Sequence, residues 1–155
     1  MSAQRVRALE PADADAARAL VHSALGDSRH ASRVFEQLEV ALSGEDVECE
    51  ALVVAEGDEA SLRAMVLFGP LAGANGVVKL HAIVAVNADA MVSLVNGLMQ
   101  EPGVRSARMV VCEIANDAAC VAAGAALLAC AFVREGRVDD FFADGVNLDL
   151  MVRRR

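Results

Sequence analysis

The chain moves between two hydrophobic periods. In "QRVRALE", Gln4–Glu10, Val6 and Ala8 fall opposite Arg5 and Arg7, the period of two of a half-buried strand. Pro11 stops that strand. Asp13 is placed as the N-cap of a helix reaching about Leu25, with Ala17, Leu20, Val21 and Ala24 on one face and Gly26 as its stop. A second helix is expected over about His30–Ser43, striped by Val34, Leu38 and Ala41 or Leu42 and ended by Gly44. Three strands follow, Cys49–Glu56, Ser61–Gly69 and Val77–Val86. The turn "GDEA" between the first two is short enough for an antiparallel hairpin. Met91, Leu94, Val95, Leu98 and Met99 then mark the buried stripe of a helix over Ala88–Gln100.

"EPG" breaks the chain, and "SARMVVCEI", Ser106–Ile114, reads as a buried strand. Asn116 or Asp117 caps a helix to about Ala131. It is apolar almost all round and so belongs on a sheet face, with Gly124 allowing close approach to the strands. "FVREGRVDDFF" and "VNLDLMVRR" are two strands joined across "ADG", a strong turn signal. The order β-α-α-β-β-β-α-β-α-β-β implies one α/β domain over residues 1–155. Its sheet is mixed but mostly antiparallel, with helices on both faces in three α/β/α layers.

Composition narrows the chemistry. The 155 residues are 55% hydrophobic but only 3% aromatic, with no Trp and no Tyr. The core is therefore built from Ala, Val, Leu and Met, and tyrosine is excluded as a catalytic acid. A net charge of −8, from 14 basic and 22 acidic residues, repels phosphate backbones and argues against nucleic-acid binding. The longest uncharged stretch, Ala118–Val133, falls short of the ~20 residues that span a bilayer. No membrane partner is expected.

The cysteines Cys49, Cys112, Cys120 and Cys130 form no CxxC pair, and no histidine stands at ligand spacing from them. Cys120 and Cys130 read as small core hydrophobes. Reduced thiols, no metal and a cytoplasmic location follow as expectations. Seven acids and no base lie between Glu45 and Glu59. They are either a solvated loop and strand face or a negative rim that draws in amines.

The segment Asn116–Arg154 carries a resemblance. Phe132, Glu135, Gly136, Val138, Asp140, Asp144, Gly145, Met151 and Arg153 fit the final helix and hairpin of the Gcn5-related N-acetyltransferases, the GNAT superfamily. "LHAIVAV" is similar to the family's fourth strand. Ala131 stands where the family has glycine, and Phe141–Phe142 stand where it has a tyrosine pair. The resemblance implies a GNAT-like fold and transfer of an acyl group from acetyl-CoA to an amine. The acceptor would be a small molecule, a protein N-terminus or a lysine. A homodimer is also implied, because members commonly dimerise.

In that family the fourth and fifth strands splay, and the pantetheine arm pairs with the fourth strand through backbone groups. Carried over, the cofactor-binding candidates are Val84, Val86, Asn87 and Asn116. Asn116 could equally be a plain N-cap. The catalytic candidates are Glu113 and His81, as a base toward the amine.

The sequence departs from the family at two points. The family's R/Q-x-x-G-x-G/A loop wraps the diphosphate with backbone N–H groups at a helix start. Here "VNADAM" has no glycine, no base and about half a dozen positions too few, and it puts Asp89 in the first turn. Asn87 or Asp89 can cap those N–H groups. Leu127 occupies the place of the family's acid tyrosine. The alternative reading is a non-catalytic GNAT-like module that binds a small molecule or a second subunit.

Overall fold

A computed structural model describes residues 3–45, 48–57 and 61–155. Seven strands form one sheet: β1 (Gln4–Ala8), β2 (Glu50–Glu56), β3 (Ser61–Pro70), β4 (Val77–Ala85), β5 (Met109–Ala115), β6 (Val133–Ala143) and β7 (Val146–Arg154). Their spatial order is β1-β2-β3-β4-β5-β7-β6. Every neighbouring pair is antiparallel except β4 and β5. That exception follows from the helix α3 (Ala88–Leu98) between them, because a parallel pair needs a crossover.

The helices cover both faces. α1 (Ala14–Leu25) and α2 (Ala31–Ser43) bury Leu20, Val21, Val34 and Leu38 against Val53, Met65, Leu67 and Val84. On the other face, α3 and α5 (Val121–Ala129) bury Leu94, Val95, Leu98 and Leu127 against Val54, Val66, Leu80 and Cys112. β3 is buried along most of its length because both faces are covered. The three-layer α/β/α arrangement expected from the sequence is the one observed. Among the described residues, no helix is long and apolar enough to cross a membrane.

Local expectations failed where tertiary contacts compete. Asp13 is the N-cap residue of α1, as expected, but its side chain makes no cap hydrogen bond to the helix. Its buried carboxylate accepts two hydrogen bonds from Arg7, at 2.7 and 2.9 Å, and one from the Glu10 N–H at 2.9 Å. Arg7 thereby holds the Asp13 carboxyl below its ordinary pKa. "EPG" does not simply break the chain, since Pro102 opens a short helix, α4 (Pro102–Arg105), that buries Val104.

Residues 118–120 form a turn, and α5 starts only at Val121. Neither Asn116 nor Asp117 is its N-cap. Gly124 faces open space rather than a strand. The acidic run does not make one rim, either. Asp46, Asp58 and Glu59 lie outside the described residues, and β2 sets Glu50 and Glu56 at opposite ends, about 20 Å apart at ~3.4 Å per residue. Glu56 is paired with Arg63.

The end of α5 explains the missing family glycine. The Phe132 N–H donates to the Leu127 carbonyl at 3.0 Å, and the Ala131 N–H donates to Leu128 at 3.2 Å. This is a Schellman closure, and it puts Ala131 at φ 68°, the left-handed region where a Cβ costs ~1–2 kcal/mol. Ala131→Gly is therefore expected to raise stability by about 1 kcal/mol. At ~2–4 °C per kcal/mol for a chain of this size, thermal denaturation should show a small upward shift. A lower melting temperature would contradict the strain.

Candidate active site

β4 carries a bulge at His81. Across β3, Leu67 pairs with Ala82 and Phe68 pairs with Leu80, so His81 is the extra residue. Before it, Val78 and Leu80 pack on the α3/α5 side, whereas after it Ala82 and Val84 pack on the α1/α2 side. A bulge bends its strand and increases the local twist. The parallel pairing of β4 with β5 stops at that point: Leu80 opposite Cys112 is the last pair, although β4 runs on to Ala85 and β5 to Ala115. β4 stays paired with β3 and β5 with β7. The sheet therefore forks.

The fork encloses a cavity of about 80 Å³ lined by residues 81–84 of β4 and 112–115 of β5, with His30, Phe142 and Cys120 at its margin. On the α5 side, a larger groove of about 530 Å³ runs past Asn116, Val121, Gly124, Leu128 and Arg134.

The Val86 N–H donates to Arg63 of β3 at 2.9 Å. In an antiparallel pair, alternate residues turn their polar groups toward the partner. Val84, opposite Met65, therefore also faces β3. Ile83 and Ala85 are the residues whose N–H and C=O point to the open edge. The expectation that Val84 and Val86 offer those groups is corrected by this register, which the bulge sets.

Asn87 is the N-cap of α3, and its Oδ1 accepts from the Ala90 N–H at 2.9 Å. With Asp89 in the same first turn, the helix start is closed by its own side chain and does not fit a diphosphate. The open edge of β4 does fit the amide groups of a pantetheine arm. Asn116 bridges β5 to β7 instead of opening a helix: its Oδ1 accepts from the Asn147 N–H at 2.7 Å.

Glu113 and His81 are both brought to the fork cavity. Glu113 is exposed and takes a 3.2 Å ion pair from Lys79, the only lysine in the sequence, so this pair bridges the two strands where they part. His81 also borders a second pocket under α2, beside Cys49 and Gln37. The Cys112 thiol is buried on the opposite face of β5, and burial pushes it up to about 12. It is a proton-bearing core group and not a nucleophile. Leu127 is fully buried and supplies no proton.

The fold adds a cluster that the sequence did not reveal. Residues 26–30, between α1 and α2, reach the start of α5. There His30 Nε2 lies 2.9 Å from Asp117 Oδ2. Phe142 packs edge-on against the His30 ring with centroids 5.1 Å apart, and Arg29 donates to the Phe142 carbonyl at 2.8 Å. Burial raises the Asp117 carboxyl, but the His30 hydrogen bond and the Cys120 thiol and N–H together outweigh it, leaving the group below its ordinary value. His30 and Asp117 are 87 positions apart in the chain, so no local spacing could have found them.

The architecture matches solved structures over essentially the whole chain. A protein from Desulfovibrio desulfuricans assigned to the GNAT family of acetyltransferases superposes with a TM-score of 0.81 at 16% identity, covering 98% of this chain and 99% of that one. The chain has the GNAT fold. YncA from Salmonella typhimurium, described as a putative acetyltransferase and solved with its cofactor acetyl-CoA, gives a TM-score of 0.74 at 16% identity, covering 98% and 94%. The ribosomal-protein-alanine N-acetyltransferase of Brucella melitensis gives 0.72 at 16%, covering 97% and 99%. No family model and no curated protein matches the sequence. The GNAT fold is thus carried here by a sequence far from its structural neighbours. Its forked β4 and β5 are the strands expected to splay.

Proposed function

We propose that the protein is an N-acyltransferase that takes a short acyl group from a pantetheine thioester such as acetyl-CoA and passes it to an amine. The observation that carries this reading is the fork, whose open β4 edge presents the backbone groups of Ile83 and Ala85 beside a small, partly open cavity. The thioester is held by added-strand hydrogen bonds. Transfer forms the N–C bond and breaks the C–S bond. The amine proton passes to Glu113, directly or through a water, and the thiolate takes its proton from solvent because Leu127 has none to give. Lys79 fixes the Glu113 carboxylate at the strand junction, and His81 is the second candidate base. Most of the acceleration in such a site comes from holding amine and thioester together. The cavity of about 80 Å³ holds two or three waters at ~30 Å³ each, which suits a two-carbon acyl group.

The self-capped α3 favours a donor held by its arm and not by its nucleotide. Calorimetric titration tests both parts. Acetyl-CoA and acetyl-pantetheine should each bind below about 100 μM, about −5.5 kcal/mol, and within roughly threefold of each other. No heat from either at millimolar concentration would remove the enzyme reading and leave the non-catalytic module. Acetyl-CoA binding ten times tighter, about 1.4 kcal/mol, would show that the diphosphate is held after all.

A further inference from the structure

His30, Asp117 and Cys120 each place a ligand atom within 4.8 Å of the other two, and all three are half-buried. The Asp117 Oδ1 atom is buried and accepts no well-aligned hydrogen bond, although the thiol and the backbone N–H of Cys120 both neighbour that carboxylate. An orphaned carboxylate oxygen in such a place is costly unless something completes it. The donors come from two segments that meet only in the folded chain, and two of them, His30 and Cys120, line the fork cavity. The Phe142 ring and the Arg29 contact to its carbonyl hold the His30 side in place. Arg29 Nε itself stays 4.0 Å from Asp117 Oδ2.

We infer that His30, Asp117 and Cys120 form a three-ligand site for a divalent transition metal, with a fourth position, filled by water, open to the fork. The donor set selects zinc. An imidazole nitrogen, a thiolate sulfur and a carboxylate oxygen make the mixed tetrahedral set that Zn²⁺ takes, and the sulfur disfavours magnesium and calcium. Nε2 and Oδ2 now share a 2.9 Å hydrogen bond and need to part by only about 0.5 Å to reach the ~3.3–3.4 Å edge of a tetrahedron with bonds of ~2.0–2.1 Å. The metal would pin the segment between α1 and α2 to the start of α5, across the mouth of the fork.

Coordination displaces the Cys120 thiol proton, so binding should tighten by roughly tenfold per pH unit for one proton released.

The test is titration of the reduced, chelator-treated full chain with Co²⁺ as a spectroscopic stand-in and then with Zn²⁺. One equivalent of Co²⁺ should give a thiolate-to-cobalt charge-transfer band, which Zn²⁺ then displaces, and zinc affinity should rise between pH 6.5 and 8. Cys120→Ala should abolish the band, and His30→Gln should weaken binding at least tenfold. Cys120→Ala should keep a melting temperature within a few degrees of wild type in chelator. If the wild-type chain shows no band, or Cys120→Ala keeps it at full strength, the site is overturned. The wild-type titration decides this even if a variant does not fold. It is independent of acyl-donor binding, so the two proposals fail separately.

Discussion

Gly69→Ala is expected to destabilise the protein by about 3 kcal/mol or more, which is at the high end for overpacking. A Cβ built on Gly69 would lie 1.6 Å from the Glu48 carbonyl oxygen and 2.8 Å from its carbon. Both are backbone atoms and cannot swing aside as a side-chain tip would. The chain entering β2 crosses directly over the end of β3, and only glycine leaves room. Gly69 is also opposite Lys79, two residues before the bulge, so any shift is passed to His81 and the fork. Thermal melts should fall by roughly 6–12 °C or more at ~2–4 °C per kcal/mol. A melting temperature within 2 °C of wild type would mean that Glu48 does not cross Gly69 as described. Gly44, a helix stop with nothing within 4 Å of an added Cβ, is not expected to clash in this way.

The second large effect separates the two edges of β4. Proline at position 85 removes an N–H that points to the open edge, whereas proline at 84 removes one that pairs with β3. Sheets tolerate proline where the missing donor faces away from a partner strand. Ala85→Pro should therefore keep the fold while weakening acetyl-CoA or acetyl-pantetheine by about tenfold, because one arm hydrogen bond is lost and a ring stands in its place. Val84→Pro should cost about 3 kcal/mol of stability. Circular dichroism melts and calorimetry on the two variants give the result. If Ala85→Pro binds both donors like wild type, the open edge is not where the arm lies. If Val84→Pro is the milder substitution, the register is the other way round.

The acid limb of the pH dependence has a known sign. The Asp13 carboxyl is lowered mainly by its hydrogen bonds from Arg7, and Asp149 is lowered mainly by Arg137. Carboxyls depressed in the folded state stabilise it above their unfolded value of ~3.9 and lose that contribution as pH falls through the folded value. These two pairs tie Arg7 beside α1 to Asp13 and β6 to β7, so acid loosens both outer edges of the sheet.

The same physics explains how much was legible beforehand. Alternation and helical stripes located all seven strands and four of the five helices, because burial on one face imposes a period that survives in the sequence. The short helix at Pro102–Arg105 buries one side chain, Val104, too little to leave a period. Val84 and Val86 were natural choices for the arm as two alternate residues of an apolar strand, but which alternate set faces the open edge depends on pairing with β3. Glu113 and His81 both line the fork. Asn116 was ambiguous between a cap and a ligand contact, and its oxygen bonds β7 instead.

The sequence by itself determined the layer architecture, the tail hairpin and the self-capped start of α3. Each is written in neighbouring residues: the patterning of the strands, "ADG", and "VNAD" without glycine or base. Only the tertiary structure decided where the sheet forks, which β4 groups face the opening, and that His30 meets Asp117 and Cys120. Each of these depends on contacts between distant segments: the β3 register that makes His81 a bulge, and the reach of residues 26–30 across to α5. Pairing energies between remote residues leave no period in the chain, so they appear only once it is folded.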